Sequence, residues 1–348
     1  MDLVENTKLA MNRRSFVKRT SLIGAAATIP SVAYSQNDVP DLQRIIPKGI
    51  GKDATIGLIT PGSSLTRSAF EKTLDNLSSI GYKIKYSPNV KVKSGFLAGT
   101  DQQRIEDIHS MFEDENVAAI FCARGGYGCG RLLDNINYDI IKRNHKPFLG
   151  YSDITALHLA FYKHAGLVTF HGPVGASEWN DFTRDSAMDI LSKGKKVEIS
   201  AEEVEIIHPG TAEGPLLGGN LTLMTSLIGT PHDPDYAGHI LFLEEIGEST
   251  YRIDRMLTQM LSAGKLDKVV GIALGYFTDC DLKPEQTGYE QSIGLLEVFK
   301  DRLGLLNVPI AYGFPFGHED RNATLPVGIN TRLNANKGSL KLLERATV

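Results

Sequence analysis

Along the chain, short continuous apolar runs alternate with apolar positions at helical spacing, and the switches between the two mark the elements. Residues 55–60 form a short apolar run closed by Pro61-Gly62, which is the length and punctuation of a buried strand. Phe70, Leu74 and Leu77 then recur at helical spacing as far as Gly81, and Lys83–Tyr86 follows as a second strand. Asp101 can cap a helix whose buried side carries Ile105, Ile108 and Phe112. Residues 117–123 are continuously apolar over a strand's length. Phe148-Leu149-Gly150 ends another strand, and 154–165 reads as a helix. Strands that alternate with helices predict an α/β fold whose parallel sheet is covered on both faces.

The pattern weakens and charge rises over 178–212. This places a linker at 179–212, between an N-terminal domain over 53–178 and a C-terminal domain over 213–348. A chain of 348 residues also favours two domains. In the second half, Gly218-Gly219-Asn220 precedes a helix-like run at 221–228. Strands at 240–243 and 269–276 flank an amphipathic helix at 251–261, and short strands follow at 331–333 and 339–343. A mixed α/β second domain is expected. Residues 36–52, polar and punctuated by Pro and Gly, read as a linker.

The first 35 residues change the picture, because they read as an address. Asn12-Arg13-Arg14-Ser15-Phe16-Val17-Lys18 fits the twin-arginine export pattern, and a small-residue apolar stretch follows at 22–33. Ala33-Tyr34-Ser35 offers small residues for cleavage before Gln36. The expectation is a twin-arginine signal peptide over 1–35 and an exported, periplasmic protein. The apolar stretch is short for a bilayer and contains Pro30, and no later segment reads as transmembrane. Five basic residues in this leader stand against two acidic ones, so the net charge of −4 becomes −7 without it. With no later basic run, nucleic acid is not an expected partner. Cys122, Cys129 and Cys280 are too few, and odd in number, for a disulfide framework.

Four segments carry candidate chemistry. Gly150-Tyr151-Ser152-Asp153 lies where a strand meets a helix. A serine there projects its hydroxyl outward, and the following amides can stabilise an oxyanion. Ile154 replaces the second glycine of the usual elbow pattern, and a plain helix cap is the competing reading. Arg124-Gly125-Gly126-Tyr127-Gly128-Cys129-Gly130 follows the 117–123 strand. It lacks both the P-loop ending and the dinucleotide glycine order, but its amides can approach an oxyanion closely. Arg124 can meet a substrate carboxylate, or merely an ion-pair partner. Glu244-Glu245 follows a short apolar strand and can orient a histidine, with Glu248 and Asp254 as nearby rivals. Gly317-His318 sits in a polar loop suited to a general base, and His171 in Phe170-His171-Gly172-Pro173 is its rival. No helical His pair or Cys pair points to a required metal, and no cofactor is expected.

These segments, taken in order, resemble the LD-carboxypeptidase family of serine peptidases, also called the muramoyltetrapeptide carboxypeptidase or S66 family. The likeness runs from about Thr55 to about Leu333. It also takes in Gly218-Gly219-Asn220-Leu221, Arg252-Ile253-Asp254-Arg255 and Phe277-Thr278-Asp279-Cys280. The resemblance implies an N-terminal flavodoxin-like parallel-sheet domain and a C-terminal swivelling β/β/α domain. It implies Ser152 as nucleophile, His318 as base and Glu244 as the acid behind it, a triad shared between domains. Backbone amides of Asp153 and of Gly125 or Gly126 would form the oxyanion site, with Arg124, Tyr127 and Asn220 touching substrate. The implied substrate is a muropeptide tetrapeptide that loses its terminal D-alanine, and the implied assembly is a homodimer. The alternatives are an amidase of the same family acting on a peptide–nucleotide antibiotic and a non-catalytic muropeptide-binding protein. A cysteine-based reaction through Cys129 is the weaker reading, since that residue lies within the glycine loop.

Overall fold

The structure, a computed structural model, describes residues 43–283 and 292–348. The proposed leader lies outside the described residues. The first half contains strands β1 (Thr55–Ile59), β2 (Lys83–Tyr86), β3 (Ala119–Cys122), β4 (Phe148–Gly150) and β5 (Thr169–His171). Helices α1 (Arg67–Ser79), α2 (Asp101–Glu113), α3 (Tyr138–Arg143) and α4 (Thr155–Ala165) connect them. The five strands are parallel in the order β2-β1-β3-β4-β5, the flavodoxin-like winding. Every residue of β3 and β4 is buried, which is why these strands read as unbroken apolar runs. The winding reverses between β1 and β3, and sheets of this kind bind ligands beyond the carboxyl ends of the strands at such a point. The loops at 60–66 and 124–130 and the β4–α4 turn all emerge at that end.

The second half adds α5 (Asp181–Leu191), β6 (Glu198–Ser200), β7 (Glu205–His208), β8 (Thr211–Asn220) and α6 (Leu221–Leu227). It continues with β9 (Ile240–Ile246), α7 (Thr250–Ser262), β10 (Gly271–Thr278), α8 (Leu295–Leu303) and β11 (Ile310–Tyr312), and closes with β12 (Leu325–Val327), β13 (Asn330–Asn334) and β14 (Ser339–Leu342). A mixed eight-stranded sheet runs β6-β14-β13-β8-β9-β10-β11-β7. Its centre, β8 to β11, is parallel, and its flanks are antiparallel. The expected fold class, a parallel-sheet domain joined to a second sheet domain, is the observed one.

Three stretches differ from the sequence reading. The 179–212 segment is not a linker, because it holds α5, β6 and β7. Asn180 caps α5 by accepting the Thr183 amide at 2.9 Å, and Ala187, Met188, Ile190 and Leu191 form its buried face. The charged outer face of α5 masked that period. The described part of 36–52 is a strap rather than a tether. Ile45 N donates to Gly166 O at 2.7 Å and Gly49 N to Val348 O at 2.9 Å, while Ile50 is buried. Finally, β12 leaves the second half and pairs antiparallel with β5 at the edge of the first sheet.

The two sheets meet through α4, which is buried on almost every side. Gly218 and Gly219 at the end of β8 allow this approach. A side-chain carbon on Gly218 would fall 1.9 Å from the Phe242 carbonyl, and one on Gly219 would fall 2.5 Å from the Thr155 side chain. The Asn220 amide then donates to Thr155 Oγ1 at 3.0 Å, tying the second sheet to the first turn of α4.

Candidate active site

The turn from β4 into α4 is an elbow. Tyr151 is extended, and Ser152 then adopts φ +67°, one of three described non-glycine residues at positive φ. This left-handed backbone costs about 1–2 kcal/mol for a residue with a side chain and persists only where the surroundings impose it. A short 3₁₀ turn over Ser152–Ile154 leads into the helix. Asp153 does not act as a solvent-facing cap. It is buried, and its Oδ2 accepts the Cys129 amide at 2.9 Å, pinning the glycine loop to the elbow.

Gly125 lies directly against the elbow. A side-chain carbon there would sit 3.1 Å from Ser152 Cβ and 3.3 Å from the Asp153 amide nitrogen. The other side of the loop is held by the 60–66 segment. Ser63 N donates to Gly125 O, Tyr127 N to Ser63 Oγ and Arg124 Nη1 to Ser64 O, each at 3.0 Å. Gly125 is not at positive φ, so alanine there needs no left-handed backbone, but its side-chain carbon would also press to 3.0 Å from the Tyr151 carbonyl. Gly125→Ala is therefore expected to lower the melting temperature modestly while lowering kcat at least tenfold, by crowding the elbow beside the Asp153 amide. Parallel thermal unfolding and turnover measurements check this, and unchanged kcat would remove Gly125 from the site.

Glu244, on β9, is fully buried, and its Oε2 accepts the Nδ1–H of His318 at 2.7 Å. That bond leaves Nε2 as the open nitrogen of His318. Burial pulls the His318 pKa down, but the Glu244 carboxylate, then Glu245 and Glu319, outweigh it, and the net pKa lies above the ordinary value. The Tyr151 ring packs 4.7 Å from the His318 ring, so the residue preceding Ser152 touches the imidazole across the two halves.

Asn322 supports the site in a way the sequence does not single out, closing the Gly317-His318-Glu319-Asp320-Arg321-Asn322 turn. It is buried, and its Oδ1 accepts the Gly317 amide at 3.2 Å. Gly317, at φ +119°, lies against Glu244, where a side-chain carbon would come within 3.1 Å of Glu244 Cβ. The spacing of an amide side chain five residues beyond a glycine was the available signal. Nothing in the sequence alone told it from an ordinary loop asparagine.

The rival residues separate clearly. Glu245 points away from His318 and accepts Asn220 Nδ2 at 2.8 Å and the Thr222 amide at 2.7 Å. Glu248 pairs with Arg252, and Asp254 lies beside Arg302. His171 is fully buried and is held well below the ordinary histidine pKa by desolvation, with His158 and His318 adding to the shift; among the described residues it meets neither a hydrogen-bond partner nor a carboxylate. Asn220, expected to touch substrate, is buried and engaged at both ends. Its Oδ1 caps α6 at Leu223 N while its Nδ2 holds Glu245, so it supports the site from behind. Arg124 is exposed and forms no ion pair among the described residues. Tyr127 is also exposed and meets Phe96 edge-on at 5.6 Å. Burial and the nearby Asp153 carboxylate raise the Cys122 and Cys129 thiols far above the range where a thiolate forms. Among the described residues no three His, Cys, Asp or Glu side chains converge as a metal cage.

Comparison with known proteins gives consistent results. Residues 56–172 match the LD-carboxypeptidase N-terminal domain model, and residues 213–333 match the LD-carboxypeptidase C-terminal domain model. The chain is 37% identical over 295 residues to a protein of Bacillus subtilis (strain 168) described as a "probable murein peptide carboxypeptidase", covering 83% of this chain and 91% of that one. It is 34% identical over 300 residues to the murein tetrapeptide carboxypeptidase of Pseudomonas aeruginosa, covering 82% and 94%. The crystal structure of a muramoyltetrapeptide carboxypeptidase from Oxalobacter formigenes superposes with a TM-score of 0.74 at 30% identity, covering 83% of this chain and 98% of that one.

Proposed function

We propose, from the premise that this chain belongs to the LD-carboxypeptidase family of serine peptidases, that it removes the terminal D-alanine from muropeptide tetrapeptides with Ser152, His318 and Glu244. The observation that carries the reading is the buried Glu244–His318 bond beside a positive-φ serine elbow. His318 Nε2 takes the Ser152 proton as Oγ attacks the carbonyl between the L-centre of the diamino acid and D-alanine. Glu244 holds Nδ1–H, fixing the tautomer and stabilising the imidazolium that forms. The Asp153 amide and a neighbouring glycine amide of the 124–130 loop stabilise the oxyanion. His318 then protonates the departing amine, freeing D-alanine. The remaining peptide stays esterified to Ser152 until a water, deprotonated by His318, releases it.

A carboxypeptidase must read a free terminal carboxylate. Arg124, exposed at the loop edge without an ionic partner among the described residues, is suited to that as a bidentate donor. Arg124→Ala is expected to raise KM at least tenfold with kcat less affected. Steady-state kinetics on tetrapeptide check this, and an unchanged KM would assign the carboxylate to another residue.

The function is tested by mass spectrometry of defined muropeptide tetrapeptides incubated with the purified enzyme, with a peptide–nucleotide conjugate in parallel. Loss of one alanine from the tetrapeptide alone supports the reading. Cleavage of the conjugate alone supports the amidase alternative, and cleavage of neither supports a binding protein. We also propose export by the twin-arginine route, on the Arg13-Arg14 pattern, and a homodimer. Fractionation of expressing cells and light scattering of the purified protein test these. Among the described residues no helix is long and apolar enough to cross a membrane.

A further inference from the structure

A second cluster of titratable side chains lies at the far end of α4 from Ser152. His164 occupies the last turn of that helix, roughly 18 Å along its axis from Ser152. Its Nε2 lies 3.1 Å from Nδ1 of His232, a largely buried residue in the loop after α6. The opposite nitrogen of His232, Nε2, lies 2.8 Å from Asp134 Oδ1. The Tyr138 ring packs against the His164 ring in a tilted contact, 4.5 Å between centroids.

The protonation logic of this chain is constrained. A carboxylate accepts, so His232 Nε2 carries the proton and its Nδ1 presents a lone pair toward His164. His164 Nε2 either donates its own proton into that lone pair or, in the other tautomer, presents a second lone pair. Two lone pairs at this separation repel unless a cation lies between them. Tetrahedral zinc with Zn–N bonds of about 2.0–2.1 Å places two ligand nitrogens about 3.3 Å apart, close to the spacing found. A carboxylate that holds the remote N–H of a ligating histidine is the usual outer partner of such a site.

We propose that His164 Nε2 and His232 Nδ1 form a transition-metal site for Zn²⁺ or Cu²⁺, with Asp134 orienting His232 and water filling the remaining positions. The site bridges the two halves, because His164 and Asp134 belong to the first-sheet layer and His232 to the second. A metal ion there clamps together the two halves that carry Ser152 on one side and Glu244 with His318 on the other. The surrounding charges are mixed. Lys163 donates to the Asp233 carbonyl at 2.7 Å, and Lys265 pairs with the Asp233 carboxylate.

Titration calorimetry of the full chain with Zn²⁺ near pH 7.5 is the test. One ion per chain is expected, with a rise in melting temperature. His164→Ala should abolish this event, Asp134→Asn should weaken it about 10–100-fold, and His208→Ala, a half-buried histidine on β7, should leave it unchanged. Cu²⁺ should bind more tightly than Zn²⁺, and its electron paramagnetic resonance spectrum on the unaltered protein should report two imidazole nitrogens. No zinc binding, binding that survives His164→Ala, or a copper spectrum with fewer than two nitrogens would overturn the proposal. The spectrum keeps the test decisive even if a variant fails to fold.

Discussion

Ser152→Ala is expected to lower kcat by on the order of 10⁴-fold or more while the protein stays folded. The residual rate would come from the oxyanion amides and binding contacts, which the change leaves in place. Alanine at φ +67° carries the same backbone strain as the serine it replaces, so stability should change little. Mass spectrometry of D-alanine release, run beside a thermal melt, checks both halves of the expectation. Wild-type turnover from a well-folded Ser152→Ala protein would rule out the nucleophile. The serine's buried partners explain why the effect should be purely chemical. Asp153 and Gly125 hold the elbow through groups other than the hydroxyl.

Glu244→Gln is expected to cost about 10⁴-fold in kcat, by analogy with carboxylate-to-amide changes in other serine triads. The variant keeps volume and removes charge. A glutamine amide would donate to His318 Nδ1, forcing the ring proton onto Nε2, where it blocks acceptance of the Ser152 proton. The pH dependence carries a separate sign. His318 must be neutral to act as base, and its pKa is raised by Glu244 against the opposing effect of burial. Wild-type activity should therefore climb with pH through a value above the ordinary 6.5 or so of histidine. Without the Glu244 charge, burial gains weight and the limb should move to lower pH. Residual kcat/KM measured across pH checks this. A limb that stays in place would show that another group titrates there.

The same interaction has a stability consequence. A histidine whose pKa is higher folded than unfolded contributes stability that is fully present below its unfolded pKa. That contribution is lost as pH rises through the folded value.

Much of the first sheet was legible because its central strands are buried on both faces and leave continuous apolar runs, while α1 and α2 bury one face and keep the 3.6-residue period. The 179–212 segment hides its elements because the exposed face of α5 is charged, which dilutes the apolar period. The strap at 43–52 was misread because its hydrogen bonds go to Gly166, Leu191 and Val348, partners that no local pattern names. The placement of β12 in the first sheet is non-local in the same way.

The sequence by itself determined the alternation of strands and helices, the strand-to-helix turn at Ser152, the glycine loop after β3, and an ordered set of motifs specific to one family. Those are properties of neighbouring residues, set by backbone freedom, periodicity and capping. Which acid stands behind which histidine was decided only in three dimensions. Glu244 and His318 are 74 positions apart, and consecutive residues on a strand face opposite ways, so Glu244 meets the imidazole while Glu245 meets α6. His171, the rival of His318 on paper, is set apart by desolvation and by the lack of a carboxylate partner among the described residues, conditions created only when the two sheets close over α4.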